Sequence, residues 1–307
     1  MRSTDYLKKN GVDVEASLDI FGDIETYNSS VGEFVVGVTE KLNQMNSYKI
    51  SKDMNNYAIY AHSLKSDANF FGFTKLGELA TEMEEKAKSG DMYYVNENFP
   101  KLQEEINKSI EVVKEYMNGT DGAPEAPAAP AAPVEEEKTA EPAPVETAPA
   151  EDIATPVEVA PAPVEEKKEE VPNNAVVYDK KTILVVDDSN IIRNFVKRVF
   201  SEEYEVGTAQ NGQEAIDILK ANKDNEFIET ILLDLNMPKV DGFAVLDFMQ
   251  ENNLLTKFPV SIISGDSSKE TIDRAFGYQI IDMLSKPFNE ASVKSVIEKT
   301  IMFKGME

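Results

Sequence analysis

Two adjacent carboxylates, Asp187 and Asp188, directly follow an apolar run at 183–186. A run that is apolar at every position and rich in Ile, Leu and Val is typical of a strand buried on both faces of a parallel sheet. The carboxyl end of such a strand is where open α/β sheets bind ligands. Two carboxylates about 4 Å apart would repel each other by about 4 kcal/mol at an effective dielectric constant of about 20, so we expect a cation there.

Polar side chains also end three later apolar runs, at Asp234, Ser264 and Lys286. Because the carboxyl ends of parallel strands meet at one edge of a sheet, we expect all of these side chains in one crevice. Three carboxylates without Cys or His suit a hard cation, most naturally Mg²⁺. Lys286 and Ser264 could then hold a phosphate group, and a carboxylate can accept a phosphoryl group as an aspartyl phosphate.

Taken singly, each of these residues has a simpler interpretation. Asp188 or Ser189 could merely cap the following helix, Ser264 could cap its own helix, and Lys286 could be a solvated lysine in a turn. Their occurrence together at consecutive strand ends favours a shared site.

The elements that must position these residues alternate along residues 179–307. The pattern predicts strands at 182–186, 204–208, 230–234, 259–264 and 280–285, and helices near 189–201, 211–223, 241–252, 268–276 and 289–302. Five β/α repeats indicate an α/β fold with a doubly wound, five-stranded parallel sheet.

Four segments of this half resemble the signatures of response-regulator receiver domains, over about residues 179–304. They are Val185-Val-Asp-Asp-Ser189, Leu233-Asp-Leu-Asn-Met-Pro-Lys-Val-Asp-Gly242, Ile263-Ser-Gly265 and Ser285-Lys-Pro-Phe288. The resemblance implies a flavodoxin-like fold in which Asp234 is the phosphorylation site. It also implies ligands for Mg²⁺ and contacts to the phosphoryl group; the ligands are Asp187, Asp188, Asp234 and the backbone carbonyl of Asn236, and the contacts are Ser264 and Lys286.

The same resemblance carries three finer expectations. The peptide bond between Lys286 and Pro287 is expected to be cis, and Gly242 matches the turn glycine of the family. Met283 stands where the family often has an aromatic residue, so we expect a weak or altered conformational response on the 268–285 surface.

The single histidine of the chain, His62, lies in a helical pattern in the N-terminal half. The stripe of core residues that the spacing predicts consists of Tyr57, Ala61, Leu64, Ala68 and Phe71. His62, Lys65, Ser66 and Asn69 form a neighbouring polar stripe, so we expect an exposed imidazole. A ring nitrogen can act as a phosphoryl nucleophile, with an ammonium group three residues later to offset the charge.

Residues 1–118 predict an all-α four-helix bundle, with helices near 23–43, 51–71, 74–89 and 91–117 and a kink or break at Pro100. This half resembles histidine phosphotransfer (HPt) domains over about residues 5–117. The resemblance rests on His62 with the neighbours Lys65, Ser66, Ala68 and Gly72, and on a lead-in at 11–22. Ser66 stands where glycine is common in that family.

Residues 119–178 contain eleven of the fifteen prolines, among Ala, Glu and Val. This composition predicts a disordered linker that tethers the two halves without fixing their geometry.

The net charge of −25 and the absence of cysteine exclude several classes of function. Nucleic-acid binding requires basic surfaces that are not evident, and disulfides and Cys-ligated zinc are excluded. The first twenty residues have no apolar signal-peptide core, and no run approaches a membrane span, so we expect a cytoplasmic protein without membrane insertion.

Together these features predict a phosphorelay protein that carries phosphoryl groups on His62 and Asp234, in cis or with partners. No glycine-rich ATP-binding segment is evident, so we expect no kinase domain and no enzyme in the ordinary sense. The expected partners are a sensor histidine kinase and other receiver or HPt proteins. Ile191, which lies off the core stripe of Ile192, Val196 and Val199, is expected to be exposed as a docking contact for a phosphotransfer helix.

Two alternatives stay open. A Mg²⁺-dependent phosphatase with an aspartate nucleophile would prefer Asp-x-Asp at the first strand end, where this chain has adjacent aspartates. An interaction scaffold with inert phosphorylation sites would keep the fold and lose the chemistry.

Overall fold

The computed structural model describes residues 1–119 and 176–304. The predicted linker at 119–178 therefore lies outside the described residues except for its first residue and its last three. The described residues include both predicted domains, which belong to one compact unit.

The N-terminal domain is helical. Its helices are α1 (Thr4–Lys9), α2 (Val14–Phe21), α3 (Ile24–Ser51), α4 (Met54–Phe70), α5 (Thr74–Lys88) and α6 (Met92–Asn118). The four long helices α3 to α6 confirm the predicted bundle, and the two short helices precede it. Aspartate side chains cap three of the long helices by accepting a hydrogen bond from the backbone N–H three residues later; the caps are Asp23, Asp53 and Asp91.

Two details of the bundle differ from the prediction. Helix α3 continues past residue 43 to Ser51, and Lys52 ends it in the left-handed region with φ 62°. Helix α6 is not broken at Pro100. Because Pro100 and Asn96 are both exposed, water can hydrate the carbonyl group that loses its hydrogen bond to the proline position.

The C-terminal domain alternates strands and helices as predicted, with element ends that differ by at most two residues. Its elements are β1 (Thr182–Val186), α7 (Asn190–Phe200), β2 (Glu205–Ala209), α8 (Gly212–Asn222), β3 (Ile228–Asp234), α9 (Gly242–Glu251), β4 (Val260–Ser264), α10 (Lys269–Ala275), β5 (Asp282–Ser285) and α11 (Glu290–Lys304). All strand pairs are parallel, in the order β2-β1-β3-β4-β5. This order has its topological switch point between β1 and β3, where the carboxylates lie.

The C-terminal domain begins earlier than residue 179. The Tyr178 side chain is buried against Gly207, and its backbone N–H donates to Asn222 Oδ1 at 2.8 Å. Asn222 Nδ2 donates in turn to the carbonyl of Val176 at 2.7 Å. Residues 176–178 are therefore part of this domain, because Asn222 satisfies their backbone polar groups.

An aromatic cluster joins the two domains. It consists of Phe21 and Phe70 of the bundle with Phe195 and Phe288 of the C-terminal domain, and the ring centroids of its contacting pairs are 5.7–6.1 Å apart. The rings meet edge to face, the geometry that their quadrupoles favour. Three of these pairs cross between domains, at about 0.5–1.5 kcal/mol each beyond area burial. This cluster places α4, which carries His62, over the carboxyl edge of the sheet.

Candidate functional site

Three carboxylates converge at the carboxyl ends of β1 and β3. Oxygen atoms of Asp187, Asp188 and Asp234 all lie within 4.8 Å of one another. The Lys286 ammonium follows β5 and lies 2.7 Å from Asp187 Oδ2 and 2.7 Å from Asp234 Oδ2. Its side chain is 3% exposed, which excludes the interpretation as a solvated turn lysine. The Lys286–Pro287 peptide bond is cis, as the resemblance implied.

The charges of this crevice shift one another's pKa values. Burial raises the pKa of Asp187 to about 6; Lys286 opposes the shift, and the neighbouring Asp234 carboxylate adds to it. Burial also raises the pKa of Asp188, against the attraction of Lys41. For Lys286, burial lowers the pKa, but the three carboxylates outweigh it and raise the pKa above its usual range. The crevice therefore holds an excess of negative charge that one lysine does not balance.

The donor set fits Mg²⁺. All ligand atoms offered are carboxylate oxygens, which this hard cation prefers. Asp187 Oδ2 touches Lys286 but lacks a partner in hydrogen-bonding geometry among the described residues, so it has an acceptor position to spare. Asp188 borders a cavity of about 390 Å³, lined by residues of both domains, through which an ion could enter. The residues present would therefore accept the cation that the sequence predicted.

The loops around the crevice are shaped by a glycine and a buried serine. A Cβ atom at Gly242 would lie 2.2 Å from the Asp234 carbonyl oxygen, so only glycine lets the β3–α9 turn close beside the aspartate. Ser264 is buried, and its Oγ accepts a hydrogen bond from the Asp266 backbone N–H at 3.0 Å. Helix α10 is capped by Ser268, so Ser264 does not act as a helix cap.

His62 is 2% exposed, and the prediction of an exposed imidazole is wrong for this arrangement. The reason is tertiary: α5 of its own bundle lies on one side of the imidazole, and the C-terminal domain lies on the other. His62 Nε2 is 3.5 Å from Asn236 Nδ2, and a Cβ atom built at Gly265 would be only 2.9 Å from the same nitrogen. Nε2 therefore faces the crevice that holds Asp234.

Glu84 of α5 orients the imidazole from the other side. Its Oε1 lies 2.8 Å from His62 Nδ1, which assigns the proton to Nδ1 and leaves Nε2 as the acceptor that faces Asn236 Nδ2. Lys65 and Lys88 donate to the same carboxylate at 2.8 Å and 2.7 Å. Burial raises the pKa of Glu84, but the hydrogen bonds from His62 and the two lysines outweigh it and hold the pKa well below its usual range. The imidazole is thus fixed and has a permanent anion behind it.

The predicted neighbours of His62 separate into two groups. Lys65 lies 3.2 Å from His62 Nδ1, and Ser66 Oγ donates to the His62 carbonyl at 3.2 Å. Gly72 is remote from the imidazole. It has φ +76°, and a Cβ atom there would lie 2.3 Å from the carbonyl oxygen of Asp13, so it serves the packing of the N-terminal lead-in against the end of α4.

Ile191 is 2% exposed, so the expectation that it is exposed is also wrong in this arrangement. It lies against the bundle, where its Cδ1 is 3.9 Å from a Cβ atom built at Gly37 of α3. The prediction placed this side chain off the core stripe of its own helix, and in the structure it is buried where the bundle meets the receiver.

Sequence reasoning missed Glu84 and Gly265. Glu84 lies 22 residues after His62, and its spacing to Lys88 indicates only an ordinary surface pair along a helix. Gly265 belongs to the Ile263-Ser-Gly265 motif, but its closeness to His62 depends on how the two domains pack. Neither role has a local sequence signal.

No helix among residues 1–119 and 176–304 combines the length and apolar composition that crossing a bilayer requires.

Comparisons with known proteins agree with this architecture. Residues 183–298 match the family model of the response regulator receiver domain, and residues 30–112 match that of the Hpt domain. The two-component response regulator ORR3 of Oryza sativa subsp. indica is 30% identical over 121 residues, which cover 39% of this chain and 90% of that protein. The cell cycle response regulator CtrA of Brucella ovis is 33% identical over 110 residues, which cover 36% of this chain and 45% of CtrA.

Among solved structures, the receiver domain of the Francisella response regulator 1452 is similar at 29% identity with a TM-score of 0.36; the match covers 42% of this chain and all of that domain. The family matches and the relatives establish two-component phosphorelay signalling as the functional class. The chain belongs to the response-regulator receiver family over its C-terminal domain and joins that receiver to an Hpt domain in one phosphorelay protein.

Proposed function

We propose that this protein passes a phosphoryl group between His62 of its Hpt domain and Asp234 of its own receiver, with Mg²⁺ in the acidic crevice. One observation carries the proposal: His62 Nε2 faces the crevice, 3.5 Å from Asn236 of the turn that follows Asp234. This position brings a ring nitrogen that can carry a phosphoryl group to the edge of the sheet where Asp234 lies. Transfer between domains of one chain is the simplest reaction that the geometry supports.

The reaction has a balanced form. In the forward direction the P–N bond at His62 Nε2 breaks, its electron pair returns to the imidazole, and a P–O bond forms to an Asp234 carboxylate oxygen. The reverse transfer uses the same geometry, because both directions share one transition state. Glu84 keeps the proton on Nδ1, so that Nε2 is the nitrogen available for phosphorylation.

The remaining residues neutralise charge. Lys286 lies 2.7 Å from Asp234 Oδ2 and would contact the transferred group from the receiver side. Mg²⁺ bound by Asp187, Asp188, Asp234 and the carbonyl of Asn236 would offset the charge of the phosphoryl oxygens. Ser264 is expected to contact the same oxygens after its hydroxyl leaves the Asp266 backbone.

External partners require the domains to separate. His62 is 2% exposed and Asp234 is fully buried, so a sensor histidine kinase or a second receiver reaches neither residue in the docked arrangement. A tether of about 60 residues would keep the separated domains at an effective concentration on the order of a millimolar or less. We therefore include a separate cytoplasmic histidine kinase as the phosphate source, and a receiver or Hpt protein as the alternative acceptor.

The test loads Asp234 in the full-length chain with acetyl phosphate and Mg²⁺, and follows the appearance of phosphohistidine by its stability in alkali. Asp234→Ala and His62→Gln identify the two labelled residues. We expect label on His62 with a rate that does not depend on protein concentration. Mixing the two variants then measures transfer between molecules, which we expect to rise with concentration.

Three results would contradict the proposal. Loading of Asp234 without any label on His62 would leave only a receiver function. No loading of either residue would favour a scaffold with inert sites, and steady turnover of a generic phosphomonoester would favour the phosphatase.

A further inference from the structure

A buried carboxylate of the Hpt domain accepts a hydrogen bond from a hydroxyl group of the receiver. Asp67 of α4 is 1% exposed, and both of its oxygens are occupied. Lys41 Nζ of α3 lies 2.6 Å from Oδ2, and Ser189 Oγ of the receiver donates to Oδ1 at 2.7 Å. This three-residue contact, which we name the Asp67 contact, crosses the domain boundary with charge-assisted hydrogen bonds.

The burial of this carboxylate depends on the receiver. An ionised carboxylate is stable in an apolar interior only when its oxygens are paired. A salt bridge to Lys41 alone would satisfy one oxygen and would suffice for an Hpt domain whose surface faces water. The second oxygen is satisfied only when Ser189 is in place. Asp67 therefore favours a receiver with a hydroxyl at this position over one that offers a carboxylate or an apolar group.

The position of Ser189 couples this recognition to the reaction site. Ser189 follows Asp188 directly, and its Oγ caps α7 by accepting from the Ile192 backbone N–H. On the other domain, Asp67 lies five residues after His62 on the same helix, about 7.5 Å along its axis. A bond between Asp67 and Ser189 therefore restrains how far the imidazole can lie from the carboxylates.

A small residue beside the contact admits the receiver. Gly37 lies one turn before Lys41 on α3, and a Cβ atom there would be 3.4 Å from Asp67 Oδ2 and 3.8 Å from Asn190 Oδ1. The same Cβ atom would be 3.9 Å from Ile191 Cδ1. A methyl group would fit, but atoms beyond it would compete with the start of α7 for this space.

We propose that Asp67, held by Lys41, is the residue by which this Hpt domain selects a receiver that carries a hydroxyl group at the position of Ser189, its own receiver above all. The inference rests on the proposed transfer between His62 and Asp234. It assigns Asp67 a positioning role in docking, and the residue takes no part in the bond-making step.

The test uses full-length chains and two measurements. The first is the rate of label transfer from Asp234 to His62 after loading with acetyl phosphate. The second is the loading rate of Asp234 in a His62→Gln background, which reports the integrity of the receiver alone. Ser189→Asp keeps a helix-capping side chain but puts a second carboxylate against Asp67. We expect it to slow transfer by about 30-fold or more without slowing loading.

Two further variants separate recognition from structure. Ser189→Thr keeps the hydroxyl group, and we expect its transfer rate to lie within about threefold of that of the unchanged chain, a difference of less than about 0.7 kcal/mol. The double variant of Asp67→Asn with Ser189→Asp exchanges donor and acceptor, because the amide donates and the new carboxylate accepts. Its transfer rate should be at least about tenfold higher than that of Ser189→Asp alone. Loss of a merely structural group would not be repaired by a second substitution in the other domain.

Transfer by Ser189→Asp at the unchanged rate, or no recovery in the double variant, would overturn the inference. If Ser189→Asp also abolished loading, the deciding variant would be Asp67→Ala, which leaves the receiver unaltered. An unchanged transfer rate in Asp67→Ala would refute the role of Asp67. No transfer in the unchanged chain would overturn the proposed function and this inference with it.

Discussion

Replacing Gly265 by alanine tests whether the docked arrangement is the one that transfers the phosphoryl group. A Cβ atom at this position would lie 2.9 Å from His62 Nε2, 3.1 Å from His62 Cε1 and 3.4 Å from Ser66 Oγ. These three nearest atoms all belong to the Hpt domain, so any receiver atom is no closer than ordinary contact. The substitution therefore disturbs docking and spares the isolated receiver.

The magnitude follows from the rigidity of the imidazole. The ring cannot simply turn away, because Glu84 holds Nδ1 at 2.8 Å and Lys65 and Lys88 hold Glu84. Overpacking of this kind costs about 1–3 kcal/mol. The docking equilibrium constant should fall by about 5-fold to 150-fold, and the transfer rate should fall with the docked population by up to that factor.

The assay compares transfer from Asp234 to His62 in the Gly265→Ala chain with loading of Asp234 in a His62→Gln background. We expect slower transfer with loading that is unchanged or faster, because an open receiver is more accessible to acetyl phosphate. Gly277→Ala is the matched control: it lies in the receiver, and the atoms near its Cβ belong to Arg274 and Asp273 of the same domain. Transfer at the unchanged rate by Gly265→Ala would refute the docked geometry as the reactive one.

Three other predictions concern the metal, the interface and the Glu84 cluster. EDTA should abolish loading of Asp234 by acetyl phosphate and excess Mg²⁺ should restore it; loading that persists in EDTA would contradict a role for the cation. Ile191→Asp should slow transfer to His62 by about tenfold or more, because it buries a charge against the bundle, and it should leave the loading rate of Asp234 unchanged. The control Val36→Asp, at a position that is 56% exposed, should change neither rate. Because the pKa of Glu84 is lower in the folded state, its ionised carboxylate stabilises the fold above about pH 4.5, and this contribution is lost as the pH falls below that value. Glu84→Gln should therefore lower the free energy of unfolding at pH 7. It should also make the decline of that free energy below pH 4.5 shallower, by up to about 1.4 kcal/mol per pH unit. Urea titrations followed by circular dichroism measure both effects, and parallel pH profiles of the two proteins would count against this prediction.

The receiver fold was predictable because its signals are local. Strands β1, β3 and β4 are short, mainly apolar runs that are buried on both faces, and the residues at their carboxyl ends follow those runs directly in the chain. The parallel topology then brings distant residues such as Asp187 and Lys286 to one edge, whatever lies outside the domain. For the same reason the bundle was predictable from its helical periodicity and its aspartate caps.

The exposure of individual side chains was not predictable in the same way. Helical spacing placed His62 and Ile191 off the predicted core stripes of their own helices, which by itself favours solvent exposure. The structure buries both at 2% exposure because each domain covers the other's polar or apolar surface. A sequence pattern indicates which side chains of an element are buried within its own domain. It does not indicate which of the exposed side chains a second domain will cover.

The amino-acid sequence by itself determined the two folds, the three carboxylates, the lysine and the histidine, because these depend on periodicity and on residues adjacent to strand ends. Only the tertiary structure brought Glu84 behind His62, Gly265 in front of it, and Asp67 against Ser189. These contacts join residues that are 22 to 203 positions apart, and the last two cross between domains. The two contacts between domains accompany the packing of Phe21 and Phe70 against Phe195 and Phe288, which joins the same two domains.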